Sequence, residues 1–293
     1  MIWKCLLAMP ILALAITACQ STVPSRATAT PTQDIDVRSQ DIPYGTNEET
    51  GRYVDVGDAN IYYEVYGEGQ PVVLLHGGLG YIDSFEKYIP ILSKEYKVIA
   101  VATRGYGKSE IGITEYSYDL LAEDVKAVIE KEGGDKAIII GASDGAMIAY
   151  VVASKHPEIV SKVVAMGGAL GTSGYAKEGL DWLEYFDSKH FESYRPDLVE
   201  IMPQPERFDE FIENLEIMWA TPNILQLDDL NKIECPVLLL FGDRDLFCTM
   251  EHIVQIYRNI PNAQLAICPN STHTDVSFRN TQILEQYILH FID

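Results

Sequence analysis

The sequence predicts an α/β fold, a mostly parallel twisted sheet with helices on both faces, and three observations carry that prediction. Short apolar runs rich in β-branched residues alternate with longer amphipathic stretches, the pattern of strands joined by crossover helices. One run, Ala137-Ile138-Ile139-Ile140, passes through Gly141-Ala142-Ser143-Asp144-Gly145 into the helix-like stretch Ala146 to Lys155. Two late runs each open into a loop with an ionisable side chain, Asp245 after the first and His273 after the second.

In chain order, the first segment concerns export. Lys4 precedes the apolar stretch Leu6 to Ile16, which ends in Ile16-Thr17-Ala18-Cys19 and is shorter than the roughly 20 residues of a stable membrane-spanning helix. Residues 1–18 resemble a bacterial lipoprotein signal peptide, with Cys19 as the residue to be acylated. The resemblance implies an exported protein anchored to a membrane of the cell envelope, because several lipid chains hold where a single one does not. An ordinary signal peptide or an uncleaved anchor is the other reading of the same residues. Ser, Thr, Pro, Gln and Asp then dominate without periodicity, so residues 19–52 read as a flexible tether.

About 240 residues remain, enough for one large domain. Its core falls in two parts, residues 53–168 and 228–293. Strands are predicted at Ile61 to Tyr66, Val72 to Leu75, Val98 to Val101, Ala137 to Ile140, Lys162 to Met166, Val237 to Phe241 and Gln264 to Ile267, and helices at Tyr118 to Lys131, Ala146 to Lys155, Met250 to Arg258 and Thr281 to Phe291. Residues 169–227 break the alternation. Gly171-Thr172-Ser173-Gly174 gives way to acid-rich amphipathic helices around Leu180 to His190 and Phe208 to Trp219, which read as a helical cap.

The chemistry sits at the strand ends. In Gly141 to Gly145 the glycines let Ser143 take a strained backbone conformation while the departing helix packs against the strand. Pro71-Val72-Val73-Leu74-Leu75 ends in His76-Gly77-Gly78-Leu79-Gly80, a turn able to point backbone N–H groups at a developing oxyanion. Pro236 to Phe241 opens into Gly242-Asp243-Arg244-Asp245, and Gln264 to Ile267 leads into Pro269-Asn270-Ser271-Thr272-His273. Of the other histidines, His76 reads as a hydrogen-bonder in its turn and His156 as a surface residue at a helix end. His190 lies in the cap, and His252 and His290 lie on predicted helices.

From Tyr53 to Asp293 the chain resembles the α/β-hydrolase family built around a His-Gly-Gly turn, and Arg104-Gly105-Tyr106-Gly107-Lys108-Ser109 matches the segment after that family's third core strand. Ala102 stands where relatives often carry an aspartate, a scaffold change. The resemblance implies a cap after the sixth core strand and a catalytic triad in the order Ser143, Asp245, His273. The pattern Gly-x-x-Asp favours Asp245 over Asp243, which becomes a solvated or loop-capping residue. Oxyanion donors would be the amides of Asp144 and Gly78, with Leu79 as the alternative to Gly78. Resemblance to valacyclovir-hydrolase-like enzymes, which use a carboxylate here for a substrate amino group, would turn the Asp144 side chain into the pocket; as a helix-start carboxylate it would instead stabilise the helix dipole. Trp182 and Trp219 are the cap aromatics expected at the substrate, among Tyr185, Phe186, Phe191 and Tyr194.

Composition excludes some roles. The 293 residues carry 22 Lys and Arg against 43 Asp and Glu, a net charge of −21, which argues against nucleic-acid binding and against adhesion to anionic lipids. Between Tyr175 and Ile217 twelve acidic residues face four basic ones. Cys235, Cys248 and Cys268 have no metal-ligand spacing; Cys248 and Cys268 either pair or stay as buried thiols. Gly77, Gly78 and Gly80 do not extend into a dinucleotide fingerprint, and no cofactor is expected. The sequence therefore points to a lipid-anchored serine hydrolase of small or medium carboxylic esters or an amide, with a preference for amino-bearing esters. Its alternatives are an aminopeptidase or C–C bond hydrolase using the same triad, or a slow-turnover ligand-binding protein.

Overall fold

The computed structural model describes residues 42–185, 191, 195–276 and 281–293. Cys19, the signal-like segment and most of the tether lie outside the described residues, as do His190, Phe186 and Tyr194.

Eight strands form one sheet: β1 (Gly51–Asp55), β2 (Asn60–Tyr66), β3 (Pro71–Leu75), β4 (Lys97–Val101), β5 (Ala137–Ala142), β6 (Val160–Met166), β7 (Val237–Gly242) and β8 (Ala263–Cys268). Their order across the sheet is β1-β2-β4-β3-β5-β6-β7-β8. β1 and β2 pair antiparallel, as do β2 and β4, and every later pairing is parallel. Parallel strands covered on both faces must be apolar throughout, and β3, β5 and β7 are buried at every position.

Around the sheet run α1 (Ile89–Leu92), α2 (Tyr118–Glu132), α3 (Asp144–Lys155), α4 (Lys177–Tyr185), α5 (Arg195–Ile201), α6 (Phe208–Trp219) and α7 (Met250–Asn259), with a C-terminal helical stretch from Thr281 to Ile292. The Ser117 hydroxyl accepts from the Leu120 amide to start α2, and Thr249 does the same for His252 at the start of α7, each satisfying an orphan helix donor. α3 carries almost no polar residues and is buried from Asp144 to Ser154, as a helix that is apolar all round must be. Alternation along β5 divides the core: Ile139 packs with α2, α3 and the cap residue Phe211, whereas Ile138 and Ile140 pack on the other face with Phe85, Tyr88 and Ile288.

The strands read from the sequence are all present. β1 was not foreseen, because Val54 is its only buried residue and an edge strand so exposed has no apolar alternation. Residues 42–52 also differ from the tether assignment. The amides of Gly45 and Asn47 donate to the buried Glu64 carboxylate, at 2.9 and 2.8 Å, and the hydroxyls of Tyr62 and Tyr66 donate to the same group. Four donors offset the desolvation of that charge, so the segment belongs to the folded body, a contact that no local composition announces. In the cap, α6 spans the predicted Phe208 to Trp219, while α4 starts earlier than Leu180. Cys235, Cys248 and Cys268 are free thiols.

Candidate active site

β5 delivers Ser143 to the rim of the sheet through a turn that only this sequence of small residues allows. Ser143 has φ 53° and ψ −118°, a conformation rare for any residue with a Cβ. A Cβ on Gly145 would lie 2.0 Å from the Leu75 carbonyl oxygen, and one on Gly141 would lie 2.2 Å from the Gly145 oxygen. The Ser143 amide is tied to the Met166 carbonyl of β6 at 2.8 Å. The hydroxyl is thereby held above the strand ends, at the start of α3.

The loop after β7 supplies Asp245 and the loop after β8 supplies His273. His273 Nδ1 lies 2.9 Å from Asp245 Oδ2, and His273 Nε2 lies 2.9 Å from Ser143 Oγ. The carboxylate can only accept, so Nδ1 carries the hydrogen and Nε2 presents its lone pair to the serine hydroxyl. Asp245 Oδ1 accepts from the Phe247 amide at 2.8 Å and the side chain is fully buried, which fixes the carboxylate in the orientation the imidazole requires. Asp243 is engaged elsewhere: its Oδ1 accepts from the Ser271 amide at 3.1 Å, bracing the loop that carries His273. Backbone donors hold its carboxyl below the usual range.

The turn after β3 forms the opposite wall. His76 is buried, its Nδ1 donating to the Gly77 carbonyl at 2.8 Å and its Nε2 accepting from the Thr103 amide at 3.0 Å. Burial pulls its pKa down to about 4, so it is a neutral structural brace. The Leu79 amide donates to the Tyr106 hydroxyl at 3.3 Å, whereas no acceptor among the described residues meets the amides of Gly78 and Asp144. These two amides remain for a ligand.

A cavity of about 380 Å³ opens over the serine. Gly78, Ser143, Asp144 and His273 meet there with Met147, Tyr175, Leu183 and Phe247, and both Trp182 and Trp219 reach it. Phe191 instead stacks behind Trp219, with ring centroids 6.1 Å apart. Asp144 does more than begin a helix: its Oδ1 accepts from the Tyr118 hydroxyl at 2.8 Å and its Oδ2 from Trp219 Nε1 at 2.7 Å. Burial raises its pKa, opposed by those two donors and by His273. Sequence reasoning missed Tyr175, Met147, Leu183, Phe247 and Tyr118. Phe247 stands two residues after Asp245 and was within reach of the motif; Tyr118 is 26 positions from Asp144 and had no local signal.

Among known proteins, the model of the alpha/beta hydrolase fold matches residues 70–197. The chain has the α/β-hydrolase fold. Similar hydrolases include the uncharacterized hydrolase YugF of Bacillus subtilis, 27% identical over 82% of this chain and 97% of that protein. A 2-hydroxy-6-oxononadienedioate/2-hydroxy-6-oxononatrienedioate hydrolase of Pseudomonas putida is 27% identical over 80% of this chain and 92% of its own. In three dimensions an esterase from Exiguobacterium antarcticum matches 83% of this chain and all of its own at 25% identity, with a TM-score of 0.68. The similar hydrolases thus include enzymes for esters and for C–C bonds.

Proposed function

We propose that the protein is a serine hydrolase of small or medium carboxylic esters, working through an acyl-enzyme. The observation that carries this reading is the relay Asp245–His273–Ser143 opening on a largely apolar cavity. Ser143 Oγ attacks the acyl carbon and its proton passes to His273 Nε2, while Asp245 holds the imidazole tautomer and stabilises the imidazolium. The free amides of Gly78 and Asp144 receive the oxyanion; one such donor typically contributes about 3 kcal/mol to the transition state. Collapse expels the alcohol, which takes the proton from Nε2, and a water molecule then repeats the sequence on the acyl-enzyme. Each step is nucleophilic or acid–base, and these groups supply it.

The lining favours an ester over the alternatives. A dienedioate, the substrate in the Pseudomonas hydrolase's name, is a dianion, and no Lys or Arg is found among the described residues around this cavity. Asp144 is the single acidic residue among them, which supports a preference for esters bearing a protonated amine and keeps an aminopeptidase as the second reading. The test is a panel of p-nitrophenyl esters beside aminoacyl naphthylamides, with a fluorophosphonate probe followed by intact-protein mass spectrometry. Turnover of esters and one adduct lost in Ser143→Ala are expected. Labelling that survives the substitution would refute the nucleophile, and an adduct without turnover would leave a ligand-binding protein. For the amine preference, an α-amino ester is compared with its des-amino analogue; equal kcat/KM values refute it.

We also propose anchoring at Cys19, supported by Ile16-Thr17-Ala18-Cys19. No helix among the described residues is long and apolar enough to cross a membrane. Labelled fatty acid should enter the wild-type chain in a bacterial host and be absent from Cys19→Ser; cleavage at another site without label would refute the anchor.

A further inference from the structure

The Asp144 carboxylate joins three elements at one point. Its own backbone starts α3 directly after the nucleophile, Oδ1 holds the hydroxyl of Tyr118 at the start of α2, and Oδ2 holds the indole of Trp219 at the end of the cap helix α6. The group is buried, so each hydrogen bond to it is charge-assisted and poorly screened. The indole thus held lies directly on the oxyanion turn: a Cβ on Gly78 would stand 2.5 Å from Trp219 Cζ2 and 2.9 Å from Asp144 Oδ2. Phe191 stacks on the indole, with ring centroids 6.1 Å apart. Contact this close means that the place of the cap and the place of the Gly78 amide are set together.

We propose that Asp144 is a positioning residue that clasps the cap onto the oxyanion turn, and that the Trp219 indole it holds limits the size of the group accepted beside the reacting carbonyl. The proposal rests on the ester-hydrolase reading of the same site and adds a role for the side chain whose backbone amide serves the oxyanion. Two consequences follow from the geometry. Removing the indole opens space next to Gly78 and admits larger substrates. Cutting the hydrogen bonds while keeping the bulk leaves Gly78 less firmly placed, which lowers kcat more than it alters KM, because the oxyanion contact matters chiefly in the transition state.

Clasp and charge separate by substitution. Asp144→Asn keeps an acceptor for Trp219 and a donor for the Tyr118 oxygen, and loses the charge. Asp144→Ala loses both, and Trp219→Phe loses the clasp while retaining the charge. The measurements are kcat and KM for p-nitrophenyl butyrate and octanoate, and for butyrate esters of graded alcohols, with the folded state of each variant verified by thermal melting and fluorophosphonate labelling of Ser143. Trp219→Ala should raise the large-to-small kcat/KM ratio about tenfold in one of the two series, the scale of one or a few methylenes in an apolar pocket. Trp219→Phe and Asp144→Ala should share a lowered kcat on butyrate, and Asp144→Asn should recover part of that loss while keeping the wild-type size profile. Unchanged ratios in both series for Trp219→Ala, or a kcat in Asp144→Ala as high as in Asp144→Asn, would overturn the clasp. An unlabelled, inactive wild-type protein would instead refute the ester-hydrolase reading itself.

Discussion

Asp243 and Asp245 stand two positions apart on the loop after β7, yet they serve different partners. Asp245 meets the imidazole and the Phe247 amide with no exposed side-chain surface, whereas Asp243 meets the Ser271 amide on the neighbouring loop. Asp245→Asn exchanges an obligate acceptor for an amide that can donate to Nδ1 and turn the ring to the wrong tautomer, a change that costs a triad on the order of 10⁴ in kcat. Asp243→Asn keeps an acceptor oxygen for Ser271 and should cost about tenfold or less, since the loop is also held by the Arg244 amide donating to the Ser271 carbonyl at 3.0 Å. Steady-state kinetics on one ester decide between them. Equal losses would show that the imidazole takes its support from the wrong carboxylate.

The oxyanion turn illustrates what an element requires of a buried side chain. His76 acts there only while neutral, because Nε2 must accept from Thr103. Its folded pKa lies near 4, below the ordinary value of 6.5, so the unfolded chain binds a proton first as the pH falls. Stability from this group is therefore present above pH 6.5 and is lost progressively as the pH falls toward 4, by about 3 kcal/mol in all. Thermal melts from pH 7.5 to 4 should show that decline in the wild type and a smaller one in His76→Gln. Parallel curves would remove His76 as the cause. The rest of the turn was legible in the sequence, which favoured the Gly78 amide and kept Leu79 as the alternative, but the contact that tells the two amides apart was not. It depends on the Tyr106 hydroxyl, 27 residues beyond Leu79.

At the scale of the whole molecule, one buried ion cluster joins segments far apart in the chain. Arg104 Nε and Nη2 grip Asp124 of α2 at 2.8 and 2.9 Å, and Nη1 meets Asp58 of the β1–β2 turn at 2.7 Å. Asp58 in turn accepts from the amides of Ile113 and Thr114, so the exposed loop that carries them hangs on the same arginine. Arg104→Ala would leave Asp124 buried without a counter-charge and should destabilise the fold by about 3–5 kcal/mol, while Arg104→Met with Asp124→Leu should recover much of that loss. Urea denaturation of the two variants measures the difference; equal stability of the single and double variants would show that the cluster is already solvated.

By itself the sequence determined β2 to β8 and the elbow at Ser143, because each follows from local grammar, an apolar run ending in a glycine-flanked turn, while it pointed to Asp245 over Asp243 only through the resemblance to α/β-hydrolases. It also separated His273 from five other histidines by position after the last strand. Tertiary structure alone decided the rest. The edge strand β1 has no apolar alternation to announce it, and the seating of residues 42–50 on Glu64 and the bridge from Tyr118 through Asp144 to Trp219 are made by hydrogen bonds between residues 17 to 75 positions apart. A carboxylate in a sequence reads as a charge on a surface. Only packing reveals that burial has taken it from water and that donors from distant helices have replaced the solvent, which is how Asp144 came to face the cavity and hold the cap at once.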